Sequence, residues 1–155
     1  MKKVLILIFK IAIWLIVILF VAGFARTWQM DRDPLQAEFR AGTVPSPALN
    51  GPYRGSVPGY SVSWLGKKMT APDNAGINVF SDGDRYPFAT SVGPGLRDMD
   101  IQVLKIQYDV PGNPWWLRLV LDEMVQVGLG KYLGKVNVRI VPGLPFTIGY
   151  FRLEK

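Results

Sequence analysis

Residues 4–25 form an almost unbroken apolar run, VLILIFKIAIWLIVILFVAGFA. No other feature constrains the chain so strongly, because it decides which solvent the amino-terminal end must meet. At 1.5 Å per residue, a helix of this length reaches roughly 30 Å, the thickness of a bilayer core. Lys10 is the one charge inside the run. A lysine at the bilayer centre costs about 2.5–3.5 kcal/mol. Lys10 lies nearer the start than the middle, so its stem can carry the amine back toward the headgroups. The membrane core is therefore expected over residues 11–25 plus the turn or two before them.

The competing reading is a cleaved signal peptide. Lys2 and Lys3 make a basic start, and Gly23-Phe24-Ala25 resembles a small-x-small cleavage site. The run is longer than the usual apolar region of about 7–15 residues, which favours a retained anchor. Orientation rests on the flanks. Lys2, Lys3 and Lys10 lie on the amino side, and Arg26, Arg32 and Arg40 mix with Asp31 and Asp33 on the other. A very short basic tail is hard to translocate, so the amino terminus is expected in the cytoplasm. The expected location is a single pass through the inner or plasma membrane, with the carboxy-terminal domain periplasmic or otherwise extracytoplasmic. Arg26, Trp28 and, deeper, Trp14 are the expected membrane-interface residues.

The 155 residues leave room for one domain after the anchor. Setting Lys2, Lys3 and Lys10 aside leaves 15 of the 18 basic residues against 12 acids, a body of only about +3. There is no Lys/Arg stripe and no basic-aromatic interleaving, so no nucleic-acid partner is expected. The sequence contains no Cys and no His. Disulfides, thiolate and imidazole metal sites, Cys nucleophiles and Ser-His-Asp triads are thereby excluded. Carboxylate, Lys or Tyr chemistry stays open.

Asp33-Pro34 reads as a helix start, with Asp as cap and Pro in the first turn, and Gly42 as its stop. Residues 43–47 read as a stiff, extended linker. The chain thus divides into an anchor at 1–27, a juxtamembrane helix and Pro-rich linker at 28–48, and a β domain at 49–155. In the β domain, Gly and Pro recur between short runs of period two, the pattern of a sandwich or barrel. Candidate strands are 53–57, 61–69, 77–80, 86–92, 101–109, 122–128, 132–141 and 146–153. Residues 115–121, after Asn113-Pro114, fit a short helix or a strand equally well. The expected class is mainly β: one transmembrane helix, a short linker helix, and a small antiparallel meander barrel or half-barrel of about eight strands.

Two aromatic groupings are candidate contact sites. The first is Leu49-Asn50-Gly51-Pro52-Tyr53-Arg54-Gly55 with Trp64-Leu65-Gly66-Lys67, followed later by Tyr132-Leu133-Gly134-Lys135 and Tyr150-Phe151-Arg152-Leu153. Together these resemble lipocalin-like small barrels, most closely the bacterial domains named for a Gly-x-Trp-x-Gly motif, with Tyr53 standing where the motif has Trp. The resemblance implies a meander barrel and a hydrophobic or lipid-like ligand. Read as residues alone, Tyr53 and Trp64 either plug the core or line a pocket.

The second grouping is Trp115-Trp116. Adjacent residues of a strand point to opposite faces, so one of the two is expected to be exposed or covered by a partner or by headgroups. Arg118, Asp122 and Glu123 form the tightest charged group. In a helix, Arg118 and Asp122 would pair; in a strand, Asp122 and Glu123 would face apart. Asp82-Gly83-Asp84 and Asp98-Met99-Asp100 read as turns, since the full ligand set of a calcium loop is missing.

Two functions fit. In one, the chain is a non-catalytic accessory subunit whose helix packs laterally in a larger membrane complex, of respiratory or photosynthetic type for example. In the other, it is a tethered carrier of a lipid, quinone, pigment or other apolar molecule. The expected partners are the lipid bilayer and other membrane subunits. Tyr53, Trp64, Trp115, Trp116, Tyr132 and Tyr150 are the candidate contacts. No cofactor, metal or catalytic set is expected.

Overall fold

The computed structural model describes residues 2–155. Helix α1 (Lys2–Asp31) is the chain's one helix long and apolar enough to cross a membrane, among the described residues. Every side chain over residues 2–19 is exposed, so nothing in the chain shields this surface. The helix does not stop at the expected anchor boundary near residue 27. It continues because its last turns find a partner: Thr27 and Met30 are buried. Asp33 then caps α2 (Pro34–Ala41), its side chain accepting from the Leu35 backbone N–H at 2.9 Å. Gly42 ends α2 in an extended rather than a left-handed conformation. The linker that follows is not free, since Thr43 and Gln126 exchange backbone hydrogen bonds of 3.1 and 2.7 Å.

Eight strands follow: β1 (Gly51–Ser56), β2 (Trp64–Thr70), β3 (Ala75–Phe80), β4 (Gly83–Pro94), β5 (Gln102–Gln107), β6 (Val120–Gly128), β7 (Lys131–Val141) and β8 (Leu144–Glu154). Each pairs antiparallel with the next, and β8 pairs back to β1, closing the barrel. Closure leaves no free sheet edge. Residues 115–121 are neither of the expected elements. A turn leads into a single 3-10 turn, Leu117–Leu119, and β6 begins at Val120. The Arg118–Asp122 pair accordingly does not form. Arg118 Nε donates to the Asn113 carbonyl at 3.1 Å.

The interior is built in layers. At the end where β1 begins and β8 ends, Leu49, Tyr53, Met69, Met124, Tyr132 and Leu153 fill the bore. Three inward glycines make room for rings. A Cβ on Gly55 would strike Trp64, one on Gly76 would strike Phe88, and one on Gly134 would strike Phe151. Small residues opposite large ones let an eight-strand bore reach interior packing density without overcrowding. The opposite end, where β1 ends and β8 begins, is open.

A second core lies outside the barrel. Met30, Phe39, Val103, Val125, Leu133 and Tyr150 pack between the wall and the end of α1, α2 and their neighbours. The loop over residues 95–101 folds across the same face. Helix α1 runs alongside β8 in the same direction. Phe20 and Phe24 meet the Phe146 ring edge-on at 5.7 and 5.2 Å. Further along, Arg26 Nε donates to the Ile148 carbonyl, and Tyr150 OH donates to the Met30 carbonyl at 3.2 Å. The exposed apolar part of α1 therefore projects past the open end of the barrel.

Candidate functional site

The open half of the barrel holds a cavity of about 450 Å³. Its walls are Val57, Trp64, Phe80, Tyr86, Trp116 and Val136, almost wholly apolar. Small-molecule sites span roughly 300–1,000 Å³ and combine such walls with a few placed polar groups. The polar groups here form the floor, halfway down the bore: Lys67, Asn78, Tyr108 and Asp122.

Each element contributes through strand alternation. Lys67 and Met69 share the inward face of β2, Met69 in the filled half and Lys67 one layer up. Asp122 lies between Val120 and Met124 on β6 in the same way. Lys67 Nζ donates to Asn78 Oδ1 at 2.9 Å, to Asp122 Oδ2 at 3.1 Å, and to Tyr108 OH. Tyr108 OH donates to Asp122 Oδ2 at 2.9 Å. Asn78 Nδ2 donates to the Tyr86 carbonyl, and Trp64 Nε1 donates to Asn78 Oδ1. Every donor of the floor is thus used. The bonds from Lys67 and Tyr108 both go to Asp122 Oδ2, and no described residue donates to Asp122 Oδ1.

Burial lowers the Lys67 amine below its ordinary value, with Asp122 opposing, and pushes the Tyr108 phenol well up, with Asp122 adding to the effect. The Lys67 ammonium also lies 5.1 Å from the ring centres of Phe88, Tyr108 and Phe151. With one cation and one carboxylate, the floor suits a neutral guest that brings a hydrogen-bond donor to Asp122 Oδ1.

A second ionic cluster lies outside the wall and joins the helices to it. Asp98 binds Lys135, Arg40 at 2.7 Å and Gln36 at 3.0 Å. Glu123 accepts from the Leu96 backbone N–H and from Asn137 Nδ2 at 3.0 Å, with Lys135 at 3.8 Å. Arg97 grips Asp31, the last residue of α1, with contacts of 2.6 and 2.8 Å. Arg152 pairs with Glu38 of α2 at 2.6 Å. Burial works to raise the Asp98 carboxyl, but Lys135 and Arg40 outweigh it and hold it below its ordinary value. This cluster is a fastening. Its charges are paired, and none of its charged side chains lines the cavity in the bore.

The aromatic candidates divide among four places. Tyr53 and Tyr132 meet edge-on at 5.5 Å in the filled half, away from the cavity. Trp64 and Trp116 wall the cavity. Tyr150 is under α1 and touches the cavity's edge. Trp115 is 77% exposed at the open end. Trp14 is exposed on α1, and Trp28 is stacked by Arg32 at 3.7 Å. Arg26 holds the rim at Ile148. Lys67, Asn78 and Tyr108 were not among the candidates. The alternation misleads here: Asn78, between Ile77 and Val79, reads as an outward residue, yet it is the one buried side chain of β3. No protein-family model, curated protein or solved structure matches the chain, so the geometry alone carries the functional reading.

Proposed function

We propose that the chain is a membrane-anchored barrel that holds one neutral apolar molecule in its open half, with a hydroxyl or similar donor directed to Asp122 Oδ1. The observation that carries this is the cavity itself: apolar walls ending on a polar floor with a single free acceptor. A purely structural barrel gains by filling its bore, as the other half of this one does. A closed meander open at one end also supports the lipocalin-like resemblance. The basic amino-terminal tail supports a periplasmic barrel.

The test uses the full chain in lipid nanodiscs. Organic extraction followed by mass spectrometry is expected to recover a molecule absent from empty nanodiscs. Val136→Trp, which fills the cavity, is expected to lose it while keeping its thermal unfolding midpoint. Extracts identical to those from empty nanodiscs would contradict the proposal.

A second reading, an accessory subunit of a membrane complex, is favoured by one observation. The exposed surface of α1 is apolar on every side and has no partner in the chain. Gentle extraction from native membranes tests it. A stable assembly much larger than one chain supports a complex, and a lone chain contradicts it.

A further inference from the structure

Ten large apolar side chains outside α1 are strongly exposed, and six of them lie at the open end: Tyr60, Val62, Trp115, Trp116, Ile140 and Ile148. Val62, Trp116 and Ile148 line the cavity itself, and the other three lie on the loops and strand end around it. Exposed apolar patches rimmed by polar groups mark contact surfaces. What covers this one follows from the helix beside it. The residues of α1 that pack on Phe146, at the open-end start of β8, are Phe20, Gly23 and Phe24, and they belong to its membrane-spanning run. The rim is therefore continuous with a surface that must meet lipid, and it lies at the level where α1 leaves the hydrocarbon.

The open end carries charge of both signs, with Asp82, Asp84 and Asp109 there beside Arg85, and three further arginines bear on the placement. Arg26, Arg118 and Arg139 lie near the rim, and none forms an ion pair with a carboxylate among the described residues. Their guanidinium groups hydrogen-bond backbone carbonyls, and Arg26 also bonds Gln29. Arginines at the depth of the phosphates, with indoles beside them, are the usual composition of a membrane-interface belt.

We infer that the open end of the barrel is a bilayer-docking surface, with the cavity mouth set against the headgroup layer of the leaflet where α1 emerges. The ligand of the proposed function, on which this step rests only for the guest's source, is then a membrane-resident molecule that passes from lipid to cavity without crossing water. The alternative occupant of the same rim is another protein, including a second copy of this chain.

The chain has no cysteine, so single nitroxide labels can be placed cleanly. Trp115→Cys, Ile140→Cys and Val62→Cys report the open end. Asp73→Cys and Leu129→Cys report the filled end. Each full-length variant is labelled, reconstituted in phosphatidylcholine–phosphatidylglycerol nanodiscs, and read by its relaxation with oxygen and with a water-soluble nickel chelate. The oxygen-to-nickel ratio is expected to be several-fold higher at the three rim positions than at 73 and 129. Equal, water-like ratios at all five would overturn the inference. Exclusion of both reagents at the rim would also overturn it, in favour of a protein partner. The labels read position whatever the cavity holds, so this result and the extraction result fail separately.

Discussion

Asp122 and Glu123 are consecutive residues that serve opposite sides of one strand. Asp122 accepts from Lys67 and Tyr108 inside the barrel, while Glu123 accepts from Asn137 and the Leu96 backbone beneath the loop outside it. A single peptide unit of β6 separates the cavity floor from the fastening that holds α1. The period-two alternation of a strand is what allows two buried carboxylates to be neighbours in sequence without sharing a site.

The Lys67–Asp122 pair is buried, with both side chains 5% exposed or less. Lys67→Met alone or Asp122→Leu alone strands one charge and should cost about 3–5 kcal/mol. The double variant should recover most of that loss, because apolar substitutes of similar size are tolerated where a pair was. Chemical denaturation of the three variants checks this. A double variant as unstable as the singles would contradict it. The double variant should nevertheless fail to retain the bound molecule, since the acceptor is gone.

On the outer face, Asp98→Ala leaves the buried Lys135 amine short of its partner, and should cost about 1–3 kcal/mol. Arg97→Ala breaks only a half-exposed pair and should cost about 1 kcal/mol or less. Hydrogen exchange over the last turns of α1 should rise in the first variant far more than in the second.

Acid should loosen this same junction. Asp98, Asp100 and Glu38 all titrate below their ordinary values in the folded chain, Asp98 against the cost of its burial and all three because of bound arginine or lysine. A depressed carboxyl stabilises fully above its unfolded pKa and loses that contribution as pH falls through the folded value. Unfolding midpoints should therefore hold from neutrality to about pH 5 and fall steadily below it. Asp98→Asn should flatten that acid limb; an unchanged limb would argue against the assignment.

Gly134→Ala drives a methyl into the Phe151 ring and should cost about 1–3 kcal/mol. Gly149, next door on β8, has open space where its Cβ would go, so Gly149→Ala should leave the melting temperature nearly unchanged. Phe151→Leu added to Gly134→Ala should restore part of the loss.

Much of the architecture was legible in the sequence because its signals are local. Hydropathy marked α1, Asp33-Pro34 marked α2, and Gly/Pro spacing with alternation marked all eight strands to within a few residues. The site was less legible. Lys67 stands beside Lys68 and reads as a solvated surface pair, and its partner Asp122 is 55 residues away. Only barrel closure and register bring the two together. The extension of α1 to Asp31 was hidden for the same reason. Residues 28–31 lie past the apolar run, where hydropathy gives no mark, and the contacts that hold them come from β8 and the loop after β4. Trp115 and Trp116 stood out as a pair that one strand face cannot absorb, but they lie in a turn, which obeys no periodicity.

No hinge separates the greasy rod from the barrel wall. Arg97 clamps its final residue, and Phe146 meets it at Phe20, eleven residues earlier. Bilayers thinner or thicker than the rod force such a segment to lean. On the proposed docking, a rod fixed to the barrel in this way would swing the cavity's mouth toward or away from the lipid as it leaned, so bilayer thickness would control how wide the doorway stands.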